Sequence, residues 1–150
     1  MFHPRQILCP LDFSDASLRA FQISLDLAQP FGASVTLLHV VDSLGPENVS
    51  FGEAVSELQP EGHQRRLWDR IRQVQPPPGC AVPVRHLLVE GDPARDIDRV
   101  ALQEHCDLIV MGTSHQRSLQ DLLTRTTTER TLRQAPCPVL VVREPDSPQS

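Results

Sequence analysis

Leu108-Ile109-Val110-Met111-Gly112-Thr113-Ser114-His115, continued through Thr126-Thr127-Thr128-Glu129-Arg130 to Ala135-Pro136-Cys137-Pro138-Val139-Leu140-Val141-Val142, is the stretch that decides the fold. An apolar run ends at a glycine, a polar loop and a helix-compatible segment follow, and a second apolar run closes the unit. Strand, loop, helix and strand in that order form the arrangement in which α/β folds bind phosphorylated ligands. Leu119, Leu122, Leu123 and Leu132 mark the apolar positions of the expected helix.

Upstream the same alternation repeats. Gln6 to Leu11 is a short apolar run of the kind buried on both faces of a sheet. Ser14 can cap the helix that follows, on which Leu18, Phe21, Leu25 and Ala28 form an apolar stripe until Pro30 and Gly32 end it. Ser34 to Val41 is a β-branched second strand. Residues 42 to 60 read as a long loop, with room for one helical turn around Glu53 to Leu58. A helix is expected from Glu61 to Gln75, with Leu67, Ile71 and Val74 on one face and Pro76-Pro77-Pro78-Gly79 as its stop. Val82 to Val89 reads as a third strand, whose Pro83 suits a sheet edge. Asp92 as N-cap and Pro93 at the first helical position start a helix that buries Ile97, Val100 and Ala101 and runs to about His105. Five apolar strands joined by helices imply right-handed crossovers and an open parallel sheet covered on both faces. A ligand site in such a sheet lies at the carboxyl ends of the strands, where strand order reverses. That edge collects Asp12, Val41-Asp42, Gly91-Asp92 and Gly112-Thr113-Ser114.

The chain's 150 residues suffice for one domain with a core of its own, and residues 144–150 read as a frayed tail. A net charge of -5 gives no general attraction to nucleic acid or anionic lipid. All basic residues are Arg, which excludes a P-loop lysine and Schiff-base chemistry. The N-terminus carries no secretory signal and no run approaches a membrane span, so a soluble cytoplasmic protein is expected. Cys9, Cys80, Cys106 and Cys137 show no CxxC spacing and are expected as buried, reduced thiols.

Neither GxxxxGK[ST] nor GxGxxG occurs, and Pro10-Leu11-Asp12-Phe13-Ser14 stands where a glycine-rich first loop would be. That loop, Leu38-His39-Val40-Val41, Glu90-Gly91-Asp92-Pro93, Leu108 to Thr113 and Ala135 to Val142 together resemble the universal stress protein family, in order and from Ile7 to Arg143. The resemblance implies a Rossmann-like α/β fold, an open five-stranded parallel sheet of order 3-2-1-4-5 with helices on both faces. It also implies a non-catalytic, homodimeric stress-response or signalling module. Similar proteins dimerise through the last strand, which here offers Val139, Leu140, Val141 and Val142.

Family members that bind ATP carry a glycine after the fourth strand, a second three positions on, and a third ten positions after the second, followed by Ser or Thr. Gly112 matches the first position, whereas His115 and Arg125 occupy the second and third, with Thr126 at the hydroxyl position. Glycines let the backbone approach phosphates and present N–H groups to them. Large side chains there would clash or force a positive φ, costing about 1–2 kcal/mol each. His115 and Arg125 can alternatively supply cationic contacts that remake the site, giving an ATP-binding switch with slow ATPase activity. Loss of family-type ATP binding is the expectation, with no cofactor required.

By resemblance, Asp12 meets the adenosine end and Val40 or Val41 lines the base. Met111, Gly112, Thr113 and Thr127 complete the candidate nucleotide contacts beside His115, Arg125 and Thr126. Asp12 can equally brace the first helix, and the threonine run can equally be a polar helix start. Ser114-His115 are mere neighbours, and His105-Cys106-Asp107 lacks a second cluster to complete a metal site. Arg65, Arg66, Arg70 and Arg72 read as a solvated helix face, so no nucleic-acid role is expected, and the protein partner stays unspecified.

Overall fold

A computed structural model describes residues 1–42, 60–113 and 127–144. Strands β1 (Gln6–Pro10), β2 (Ser34–Asp42), β3 (Val84–Gly91), β4 (Leu108–Thr113) and β5 (Val139–Arg143) form one sheet of order β3-β2-β1-β4-β5. Every pairing is parallel, with Ile7 opposite Val35 on one side and Leu108 on the other. Helices α1 (Asp15–Ala28), α2 (Pro60–Arg72), α3 (Pro93–Gln103) and α4 (Thr127–Gln134) alternate with the strands. The expected helical turn at Glu53 to Leu58 and the apolar positions Leu119, Leu122 and Leu123 lie outside the described residues.

Successive residues of the central strands feed opposite layers, as a strand covered on both faces requires. Ile7, Cys9, Val35, Leu37 and Val110 join Phe21, Leu25 and Ile71 in one core. Leu8, Leu38, Ile109 and Met111 join Ile97, Val100 and Ala101 in the other. No helix among the described residues is long and apolar enough to cross a membrane.

Two expected apolar stripes are displaced. Leu18 is 36% exposed, and α1 instead buries Ala16, Ser17, Ala20, Phe21, Ser24, Leu25 and Ala28. Small residues on that face let α1 lie close to the sheet, and its buried hydroxyls bond locally, Ser24 to the Ala20 carbonyl at 2.8 Å and Ser17 to the Ser14 carbonyl at 3.0 Å. Leu132 is 49% exposed, while Thr131 beside it is wholly buried, because α4 turns Thr131 and not Leu132 inward.

Helix α2 ends at Arg72, three residues before the expected Gln75. Pro76 holds Gln75 away from helical backbone angles, and the last turn tightens, with Val74 N–H donating to the Ile71 carbonyl at 3.1 Å. Strand β3 starts two residues later than expected, just past Pro83, and α3 stops at Gln103 rather than His105. Residue 105 has φ 54°, outside the helical range. Ser14 and Asp92 cap α1 and α3, accepting from the N–H groups of Ser17 and Arg95. All four cysteines are free, but only Cys9 and Cys106 are buried; Cys80 and Cys137 are half-buried. Burial pushes the Cys9 and Cys106 thiols up to about 12, so both behave as small apolar groups.

Helices α3 and α4 pack against each other, and each buries a polar group. Both carboxylate oxygens of Asp98 and the Thr131 hydroxyl are buried with no hydrogen-bond partner among the described residues. Burial pushes the Asp98 carboxyl up to about 6, above the unfolded value of about 3.9. The folded state therefore holds this proton where the unfolded chain has released it, and its stability falls as pH rises from about 4 through about 6. Asp98→Asn should flatten the decline in urea-unfolding free energy across that window. Equal slopes in the two proteins would show that Asp98 does not titrate with folding.

Candidate functional site

At the carboxyl edge of the sheet, where β1 and β4 diverge to opposite connections, a cavity of about 430 Å³ opens. Pro10, Leu11 and Asp12 enter it from the end of β1, and Leu38 and Val40 from β2. Met111, Gly112 and Thr113 form the β4 wall. Ser17 of α1, Pro93 and Ile97 of α3, and Thr127 and Thr128 of α4 complete it. Its size falls within the range of small-ligand pockets, about 300–1,000 Å³.

Six of the candidate contacts thus share one cavity: Asp12, Val40, Met111, Gly112, Thr113 and Thr127. Val41 does not line it, because the alternation of β2 that turns Val40 inward turns its neighbour away. His115, Arg125 and Thr126 lie outside the described residues. Val139 to Val142 run along the sheet edge, with Leu140 exposed and Val142 buried.

Asp12 braces its own loop and faces the cavity as well. Its Oδ1 accepts from the Ser14 N–H at 2.9 Å and from the Ser14 hydroxyl, and its N–H donates to Ser17 Oγ at 3.3 Å. Burial pushes the carboxyl upward, but the hydrogen bonds from Ser14 and Ser17 outweigh it and hold it below the ordinary aspartate value. Asp12 is an ionised acceptor at neutral pH, suited to hydroxyl or N–H donors of a ligand.

Phe13 stands at φ 63°, a left-handed conformation that is costly for a bulky side chain. Its ring packs 4.9 Å from that of His39, and the Arg70 guanidinium carbon lies 4.0 Å over it. His39 in turn bonds through Nδ1 to the Leu11 carbonyl at 2.7 Å, so that nitrogen carries the hydrogen. Arg70, expected in a solvated face, here covers the strained loop that carries Asp12. His86 likewise serves the fold, bonding through Nε2 to the Val74 carbonyl at 2.8 Å.

Gly112 has a role the sequence reading did not foresee. A Cβ placed there would come within 2.5 Å of the Ala16 carbonyl oxygen and 2.6 Å of the Ser17 nitrogen. The glycine is therefore demanded by the approach of α1, apart from any ligand. Ser17, Pro93 and Ile97 were not among the candidate contacts, whereas Thr128 belongs to the threonine run that reads either as phosphate contacts or as a polar helix start. Pro93 had a signal, since the start of a helix that follows a parallel strand opens onto this edge. A further pair, Asp92 and Arg130, joins α3 to α4, with Arg130 Nη1 2.9 Å from Asp92 Oδ1. The hydrogen bond to Arg130 leads in holding the Asp92 carboxyl below its ordinary value. Among the described residues no group of three or more His, Cys, Asp or Glu side chains could hold a metal ion.

A sequence model of the universal stress protein family matches residues 3–143. The chain belongs to this family. A universal stress protein of Methanocaldococcus jannaschii is 35% identical over 144 residues, covering 94% of this chain and 83% of its own. One from Methanothermobacter thermautotrophicus is 37% identical over 125 residues, covering 80% and 83%. The solved universal stress protein UspA from Lactobacillus plantarum superimposes with a TM-score of 0.71 at 28% identity, over 95% of this chain and 100% of that one. That superposition, over nearly the whole of both chains, agrees with the fold described above.

Because the backbone of α1 leaves no space at Gly112, Gly112→Ala should lower stability by about 1–3 kcal/mol in the ligand-free protein. Urea unfolding measures it. An alanine variant of unchanged stability would return Gly112 to a purely ligand-facing role.

Proposed function

We propose that this universal stress protein is a homodimeric stress-response or signalling module without turnover. Its cavity takes the adenosine end of a nucleotide, and its phosphate end is impaired for family-type ATP binding. The observation that carries this reading is the composition of the cavity wall. Asp12, Val40 and Met111 offer one ionised acceptor beside apolar surface, as a ribose and base require, and among the described residues of the lining there is no cation to meet phosphates. At the two positions where ATP-binding members place further glycines, the sequence has His115 and Arg125.

Isothermal titration with adenosine and with magnesium ATP tests the reading. The chain should bind ATP no more tightly than adenosine, and replacing His115 and Arg125 together by glycine should raise ATP affinity roughly tenfold or more. Tight magnesium-dependent ATP binding by the natural chain, weakened by Asp12→Ala, would establish the remodelled ATP switch instead.

The dimer is proposed through β5, which pairs with β4 on one side and ends the sheet on the other. An apolar edge strand tends to be paired or covered, and a twofold dimer is the commonest way for identical chains to do so. Leu140, 41% exposed on that strand, provides a probe that leaves the core intact. Light scattering at micromolar concentration should give a dimer for the natural chain and a monomer for Leu140→Arg. A natural monomer, or a dimer that survives the arginine, would exclude this interface.

A further inference from the structure

Asp92 is doubly employed. As N-cap of α3 it accepts from the Arg95 N–H at 3.2 Å, and its two oxygens also take Nη1 and Nη2 of Arg130 from α4, at 2.9 and 2.5 Å. A guanidinium fork held at two points is the geometry in which arginine grips a phosphate as readily as a carboxylate. Neither residue of the pair lines the cavity, but each neighbours one that does, which sets the pair beside its mouth. Pro93, next to Asp92, lines the cavity, and so does Thr127, one helical turn before Arg130 on the same face of α4. The Arg130 side chain is 43% exposed, so it is free to reorient toward a ligand.

Among the described residues of the lining the charge comes from Asp12, and none of them is a cation. A phosphate entering the cavity would find the guanidinium at its mouth already occupied. We propose that Asp92 acts as a built-in anion that competes with ligand phosphate for Arg130, so that the site discriminates against nucleotides in favour of the uncharged nucleoside. This rests on the nucleoside reading of the cavity given above and adds the residue pair that sets its charge preference. Arg130 is then a binding residue in reserve, and Asp92 the residue that withholds it.

Asp92→Asn is the decisive variant, because asparagine caps a helix about as well as aspartate while its neutral amide holds a guanidinium weakly. Titrations of the full chain with adenosine and with AMP should show the AMP-to-adenosine affinity ratio rising roughly tenfold in Asp92→Asn, with adenosine affinity itself unchanged. Adding Arg130→Met should abolish the gain, and Arg130→Lys, which keeps the charge but loses the fork, should retain part of it. Thermal melting of each variant confirms that it is folded. If adenosine binds throughout and the ratio does not move, Asp92 and Arg130 are only a clasp between α3 and α4, and the inference falls while the nucleoside reading stands. If adenosine does not bind at all, the nucleoside reading falls. Pyrophosphate then decides the competition: its binding must strengthen in Asp92→Asn and be lost with Arg130→Met, and any other result overturns the inference.

Discussion

The close approach of α1 to β4 is the contact on which the site depends. Gly112 leaves no side chain between the strand and the backbone of Ala16 and Ser17, and α1 answers with a face of Ala16, Ser17, Ala20 and Ser24. Small residues on both sides let helix and sheet meet backbone to backbone, and larger residues at these positions would hold them apart. That spacing fixes where α1 begins, and so fixes the loop Asp12-Phe13-Ser14 that must join β1 to it. The loop has little slack. One residue, Phe13, takes a left-handed backbone, and its ring is held between His39 and Arg70. Strain of this kind, on the order of 1–3 kcal/mol, persists only when the surroundings over-determine it. Here they do, and the outcome is an Asp12 carboxylate presented to the cavity and fixed by Ser14.

The sheet was legible in the sequence because its strands are covered on both faces. Continuous apolar runs such as Ile7 to Cys9 and Leu108 to Met111 carry a signal that polar neighbours do not dilute, and Ser14, Asp92 and Pro93 announce helix starts by chemistry local to the chain. Helix faces were less legible. Apolar periodicity chose Leu18 and Leu132, but burial follows the distance between layers, which rewards Ser17, Ser24 and Thr131. Ser17 and Ser24 satisfy their hydroxyls against carbonyls one turn back, and such small polar residues read in sequence as surface residues.

Within the site the division is similar. Asp12, Val40, Met111, Gly112, Thr113 and Thr127 could be placed because the ends of parallel strands converge by topology alone. The partnership of Asp92 with Arg130 could not, since the two are 38 residues apart and belong to different helices. The capping role of Asp92 was readable; its second role needs the third dimension. Gly112 shows the opposite hazard, a residue correctly singled out whose first physical reason is packing.

Helix α4 is held unlike the rest of the fold. Where α1 and α3 bury apolar side chains at about 1.5–3 kcal/mol each, α4 buries Thr131, its hydroxyl unpaired among the described residues, against a helix carrying the likewise unpaired carboxylate of Asp98. Its ion pair to α3 is partly exposed, and such pairs add little to stability. Yet this helix contributes Thr127 and Thr128 to the cavity and leads through Ala135 into β5 at the sheet edge. Among the described residues α4 buries no apolar side chain, and an element with few apolar contacts opens at lower free energy than the core around it. The part of the fold that links the ligand cavity to the edge strand is thus the part held by polar contacts, whose strength changes with protonation and with the charge of what enters the cavity.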